Sequence, residues 1–276
     1  MDLEKANALI QQYEAAFSHG VGIPPGETLY TGVDLGTSYI VLSVVDGSGK
    51  PVGGAKCFAK VVKDGLVVDY IGAVEIVKSL KNELEGRLGC SLKKAGVAYP
   101  PGISREEQMV FVHIAEAAGF EVEKRVDEPT AANQVLDIKR GAIVDIGGGT
   151  TGLAVLEKGK VIYTADEPTG GEHFSLVLAG AFKIPFMEAE KLKTRPAKQR
   201  ELLPLVKPVM QKVATIIKNH LKTFKVDVLY LVGGSSCFAG IEDVIAKELE
   251  VKVLKPKNPL LVTPLGIALS VKGKGD

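Results

Sequence analysis

The chain has 276 residues, 46% of them hydrophobic and 24% charged, with a formal net charge of +1. That is enough apolar material for one large domain or two lobes with real cores, and the balanced charge selects no polyanion or membrane partner. No apolar run approaches a membrane span, MDLEKANALIQQ lacks the shape of a secretory signal, and Cys57, Cys90 and Cys237 have neither CxxC nor Cys/His ligand spacing. The expectation is a soluble, cytoplasmic α/β protein with reduced thiols and no zinc site.

In chain order, residues 1–18 carry Leu3, Leu9, Ile10, Tyr13 and Phe17 at near-helical spacing. HGVGIPPGE follows, so residues 1–28 read as an appended amphipathic helix with its linker, either packed on the body or free to dock a partner. LYTGVDL and YIVLSVVDG form a hairpin, and KCFAKVVKDGLVVDY suggests two more strands. Residues 73–88 are helical, KAGVAYP is a buried strand, and Ser104 with Glu107 makes a capping box for a helix to Ala118. The second half opens with the strand Ala142–Asp145, then helices over 172–181 and 187–194. A helical tract over 199–224 contains Pro204 and Pro208, where interruption is expected. VDVLYLV is a buried strand, a helix spans 241–250, and PLLVTPLGIALSV closes the chain as a short apolar helix. Ten Lys/Arg between Lys191 and Lys225, against Glu201 alone, read first as a solvated face and second as an attractor of anions.

One stretch carries chemistry. AIVDIGGGTTGLAVL sets an aspartate and three glycines between two strands, although glycine weakens strands. A hairpin needs fewer glycines, whereas backbone N–H groups approaching a phosphate need the missing Cβ atoms. The loop is neither a P-loop nor a dinucleotide fingerprint, since no Gly-Lys-Ser/Thr is present and a strand follows. VDLGTSYIVLSVVDGSGKPV from Val33 repeats its pattern, at an offset of 111 residues (145 − 34). Two related lobes with their glycine loops facing a shared cleft are the expectation. Two such loops, each with one aspartate, suit a polyphosphate with Mg²⁺, although Asp34 and Asp145 also fit as ordinary turn residues.

GVDLGTS (Gly32–Ser38), VDIGGGTTG (Val144–Gly152) and LVGGSS (Leu231–Ser236) resemble the two phosphate motifs and the adenosine motif of the actin / sugar kinase / DnaK-chaperone superfamily. DEPTAA (Asp127–Ala132) and GGEHF (Gly170–Phe174) resemble segments of DnaK-type chaperones, the latter also of cell-division actins. With the closing TPL-IA, the set is most similar to the chaperone-like proteins of ethanolamine-utilisation operons. The resemblance implies a two-lobed actin-like (ribonuclease H-like) ATPase fold with reduced outer subdomains. The first lobe would span 29–140, with 260–276 packing back on it, and the second 141–259.

The resemblance also implies roles. Gly36, Thr37 and Ser38 would contact the β- and γ-phosphates of ATP or ADP, and Gly147, Gly148, Gly149, Thr150 and Thr151 would cradle them from the other lobe. Asp34 and Asp145 would hold Mg²⁺ through water, and Glu128 would position the attacking water with Asp145 accepting its proton. Gly171, Gly233, Gly234 and Ser235 belong to the same site, with adenine lying flat on Gly233-Gly234. Glu190 and Lys193 would contact the ribose. Read without the resemblance, Glu128 is a helix N-terminal acid, Gly233-Gly234 a strand-to-helix turn, and Glu190/Lys193 an exposed ion pair.

The spacing between motifs leaves little room for the outer subdomains, or for the lysine that DnaK-type chaperones carry in the first of them. Three functions remain: a chaperone-like or assembly factor, slowly hydrolysing ATP as a conformational switch; a small-molecule kinase, with Asp64 or Asp69 as catalytic aspartate; and a non-catalytic or self-assembling scaffold. Implied partners are nucleotide and a protein client, or an enzyme or shell component of ethanolamine utilisation in a bacterial microcompartment. Neither nucleic acid nor a membrane is expected.

Overall fold

The first helix, α1 (Glu4–Ser18), lies on the strand β3 (Pro51–Phe58), where Gly53 and Gly54 stand in place of larger residues. A Cβ on Gly54 would fall 2.8 Å from the Tyr13 ring, and one on Gly53 would touch Leu84 and Leu88 on the opposite face. Tyr13 is fully buried, with its hydroxyl on Ser43 Oγ, and burial raises its pKa. Arg87 closes the end of α1, donating to the carbonyls of Ala16 (3.0 Å), Phe17 (2.7 Å) and Gly54 (3.0 Å). The helix is therefore part of the body rather than an appendage. This computed structural model describes residues 3–18, 23–24 and 26–273, so much of the expected linker lies outside the described residues.

The chain divides into two units, Met1–Asp137 with Leu261–Asp276, and Ile138–Leu260. In the first, β1 (Tyr30–Leu35) and β2 (Tyr39–Val45) form the hairpin that alternating β-branched residues favour, and β3 extends it antiparallel. The two-stranded β4 (Val62–Lys63) and β5 (Leu66–Val67) and helix α2 (Tyr70–Leu88) lead to β6 (Lys94–Tyr99), parallel to β1. Helix α3 (Arg105–Ala117) starts on the capping box, with Glu107 N–H on Ser104 Oγ at 3.2 Å and Ser104 N–H on Glu107 at 2.7 Å. Then come β7 (Glu121–Asp127), parallel to β6, and α4 (Glu128–Leu136), giving the order β3-β2-β1-β6-β7. The strand β7 has no legible period because it is an edge whose charges face solvent, with Lys94 pairing Glu123 at 2.8 Å.

The second unit repeats this plan. The antiparallel strands β8 (Gly141–Ile146), β9 (Thr151–Glu157) and β10 (Lys160–Glu167) are followed by helices α5 (Glu172–Phe182), α6 (Phe186–Lys193) and α7 (Pro196–Leu221). Strand β11 (Val228–Val232), helix α8 (Ile241–Leu249) and β12 (Lys252–Leu254) complete the order β10-β9-β8-β11-β12, which is the first sheet's order strand for strand. Helix α7 runs unbroken through Pro204 and Pro208, contrary to the expected interruption. Both prolines are exposed, so the carbonyls they leave unpaired face solvent, while Leu202, Val206, Met210, Val213 and Ile217 keep one buried stripe.

Helix α9 (Val262–Lys272) returns to the first unit and packs on β1 and α4. A Cβ on Gly32 would lie 2.6 Å from Ala268 N, and one on Gly266 would collide with the carbonyl of Ala131. The closing TPLGIA thus seats a helix at backbone contact on two elements. Gly266→Ala should lower stability by about 1–3 kcal/mol, because backbone rather than a flexible side chain must move; urea denaturation measures it, and a parental midpoint would show that α9 can shift freely.

Candidate functional site

The two Asp-Gly turns are built alike. Gly36 N–H donates to Tyr39 O at 3.0 Å, and Gly147 N–H to Thr150 O at 2.9 Å. Both bonds keep the offset of 111 residues (147 − 36; 150 − 39) that relates Asp34 to Asp145. Asp34 is the penultimate residue of β1, and Glu128 follows β7, so both stand at the carboxyl edge of their sheet with β6 between them. That edge is where open α/β sheets bind ligands. The acid capping α4 is Asp127, whose carboxylate accepts Thr130 N–H at 3.0 Å; Glu128 follows it, half-buried.

In the second unit the turn is held from behind. Gly147 O accepts from Gly171 N–H (3.0 Å) and Ser235 Oγ (2.6 Å), and Gly148 O accepts from Glu172 N–H (2.8 Å). A trans peptide points its carbonyl and the next N–H in opposite directions. Tying these two carbonyls inward therefore turns the N–H groups of Gly148 and Gly149 outward. Neither they nor the N–H groups of Thr37 and Ser38 meet a protein acceptor among the described residues. Such an array of unpaired donors is a nest for anionic oxygens.

The approach is possible only without side chains. A Cβ on Gly170 would lie 2.5 Å from Gly148 O, and one on Gly171 would collide with Ser235 Oγ. Gly233, at φ +88°, leaves β11 directly against the Asp145 carboxylate, and its N–H donates to Pro259 O at 3.1 Å. It begins a strand-to-helix turn that also supports Asp145; Gly234, beside it, is exposed.

Glu190 and Lys193 are a buried pair, not the exposed one their spacing allows. Their side chains are 8% and 9% exposed and meet at 2.7 Å. Ser175 Oγ donates to the same Glu190 oxygen at 2.5 Å, and Lys193 Nζ donates to Gly171 O at 3.0 Å. Burial holds the Lys193 pKa below its ordinary value, with Glu190 opposing the shift. The pair thus fixes Gly171, which fixes the turn. Lys193→Met, which strands the Glu190 charge, should cost about 3–5 kcal/mol in chemical denaturation, and adding Glu190→Gln should recover part of it. Equal loss in single and double variants would mean that the pair acts through packing alone.

Asp166, at the end of β10, is a residue that the motifs do not disclose. It accepts a hydrogen bond from Thr150, while its Oδ1 is shut from solvent with no partner among the described residues. Burial above all, with the nearby Asp145 and Glu167 charges, pushes its carboxyl up to about 7 against the Thr150 bond. In the second unit, the outward N–H groups of Gly148 and Gly149, with Asp145 and this orphaned oxygen beside them, suit an anion accompanied by a hydrated cation. No three His, Cys, Asp or Glu side chains converge as an all-protein metal cage among the described residues, so a cation here would keep its water shell. Of the two carboxylates considered for a kinase, Asp69 caps α2 through Gly72 N–H at 2.9 Å, and Asp64 is exposed at φ +48° in the β4–β5 turn. Among the described residues no helix is long and apolar enough to cross a membrane.

Comparison with known proteins agrees with this architecture. The profile of the cell division protein FtsA matches residues 142–266, and that of the MreB/Mbl protein matches residues 54–182. Crystal structures of MreB5 of Spiroplasma citri bound to ADP and to AMPPNP superpose with TM-scores of 0.69 and 0.71 at 15% identity, over 86% and 88% of this chain and 94% and 95% of those. The fold is therefore that of the actin-like ATPases. The ethanolamine utilization protein EutJ of Salmonella typhimurium (strain LT2) is 42% identical over 99% of this chain and 94% of its own. The crystal structure of EutJ from Carboxydothermus hydrogenoformans matches with a TM-score of 0.92 at 46% identity, covering 98% of this chain and 99% of that one. At that identity, over nearly the full length of both proteins, the chain belongs to the EutJ family of ethanolamine utilization proteins.

Proposed function

We propose that this protein binds ATP with Mg²⁺ and serves ethanolamine utilisation as a chaperone-like or assembly factor, with slow ATP hydrolysis as its conformational switch. The observation that carries the reading is the inward-tied carbonyls of Gly147 and Gly148, which leave the next two N–H groups facing outward beside Asp145. The ADP- and AMPPNP-bound relatives of the same fold support the choice of ligand. Gly36, Thr37 and Ser38 serve the phosphates from the first unit, and Gly147–Thr151 from the second. Asp34 and Asp145 hold the hydrated cation, whose chemistry is to offset phosphate charge. Glu128 orients a water for attack, and its proton passes toward Asp145. Glu190 and Lys193 stand toward the ribose while supporting Gly171, and Gly233, Gly234 and Ser235 line the adenosine end. The client is a protein, an enzyme or shell component of the same catabolic system, in the cytoplasm or at a microcompartment.

Calorimetry with the full chain tests the reading. ATP should bind in Mg²⁺, and Asp145→Ala should weaken Mg²⁺-dependent binding about 10- to 100-fold, the usual effect of losing an outer-shell carboxylate, with an unchanged circular dichroism spectrum. No binding at millimolar nucleotide by folded protein would remove the proposal.

Turnover should be slow. Between β3 and β6 the described residues build only the β4–β5 hairpin and α2, with no outer subdomain to carry a lysine to the phosphates. One missing electrostatic contact costs about a hundred- to a thousandfold in rate. The purified protein should stay below about one turnover per second, at the bottom of the usual enzyme range. Sustained turnover of several per second without a partner, lost in Glu128→Ala, would show that Glu128 suffices.

A further inference from the structure

The two duplicated turns are alike in backbone and unlike in charge. In the first unit the row across the sheet is Asp34, Val41, Lys56; in the second it is Asp145, Gly152, Asp166. Residues directly opposite one another on antiparallel strands point to the same face. Asp34 therefore shares its face with a cation, and Lys56 Nζ reaches to 5.5 Å from the ring centre of Tyr39, the last residue of its turn. Asp145 shares its face with a second carboxylate, and Gly152 places no side chain between them. Asp166 is bound into the turn through Thr150, yet its Oδ1 has no donor among the described residues. The first row sums to zero formal charge and the second carries two negative charges when both acids are ionised.

We propose that Asp166, acting with Asp145, makes the second phosphate turn select cation-bound nucleotide over free nucleotide. The inference rests on the nucleotide reading above. Two carboxylates beside the outward N–H groups of Gly148 and Gly149 repel an unaccompanied polyphosphate. A hydrated divalent cation beside the pair cancels that repulsion. Asp166 is a positioning residue, acting through its charge and through Thr150. Its neutral isostere Asn can keep accepting from Thr150, while its amide NH2 replaces the unpartnered carboxylate oxygen with an uncharged donor.

The test is calorimetric titration of ATP into the full chain at pH 8, where Asp166 is ionised, in Mg²⁺ and separately in EDTA. The parent should bind far more tightly in Mg²⁺. Asp166→Asn should bind ATP about tenfold or more tightly in EDTA than the parent does, as expected for removing one charge near phosphate in a partly screened site, so the preference narrows. Asp166→Ala, which removes the charge without adding an amide donor, should shift affinity in the same direction, which neither a structural role nor a new donor would produce. Lys56→Gln should leave the preference undiminished. If Asp166→Asn does not fold, Asp166→Ser gives the same readout. A parent that binds ATP in neither condition overturns the nucleotide reading and this inference with it. A parent that binds, with the same Mg²⁺-to-EDTA ratio in the folded variant, overturns the role of Asp166 alone.

Discussion

The carbonyl of Gly147 is the point on which the second unit's site depends. It takes two donors, Gly171 N–H and Ser235 Oγ, from segments 24 and 88 residues away in sequence (171 − 147; 235 − 147). Either bond alone would leave the turn free to rotate about the other. Together they fix the peptide plane, and the plane fixes the direction of the next N–H. Everything around the turn serves these contacts. Gly170 and Gly171 admit the backbone, Lys193 holds Gly171 O, Glu190 neutralises Lys193, and Ser175 donates to the same Glu190 oxygen. A buried ion pair is costly in itself; here it stands behind Gly171, whose N–H orients the turn.

The duplication shows how one local solution was kept while its electrostatics diverged. The strand order, the Asp-to-turn spacing and the hydrogen bond closing each turn are common to both units. The first unit has a hydroxyl-bearing turn, Gly-Thr-Ser, beside a lysine, and the second a glycine-rich turn beside a second aspartate. The first offers donors with little net field, and the second offers donors within a negative one.

Much of the fold is legible in the sequence where local chemistry decides it. The repeated hairpin shows because strand alternation, aspartate and glycine recur in order, and the capping box of α3 is entirely local. Three features escape because their causes are remote. The edge strand β7 is written in charges, since solvent rather than a core receives them. Helix α7 survives two prolines because both fall on its wet side, which depends on what the other side covers. The burial of Glu190 and Lys193 depends on α5 and the turn closing over them, which an i, i+3 spacing does not reveal. Asp166 is hidden for a geometric reason: β10 shifts register between Val161 and Tyr163, so counting alternate residues along the strand assigns its far end to the wrong face.

The return of α9 to the first unit bears on the order in which the chain takes shape during synthesis. The second unit, Ile138–Leu260, is one uninterrupted segment, whereas the first is completed only by residues beyond it. Until residues 262–272 leave the ribosome, Gly32 and the surface of α4 at Ala131 lack the helix that packs against them. Domains generally fold as units as they emerge. The second unit can therefore reach its native state while the first, although translated earlier, still waits with an apolar face uncovered.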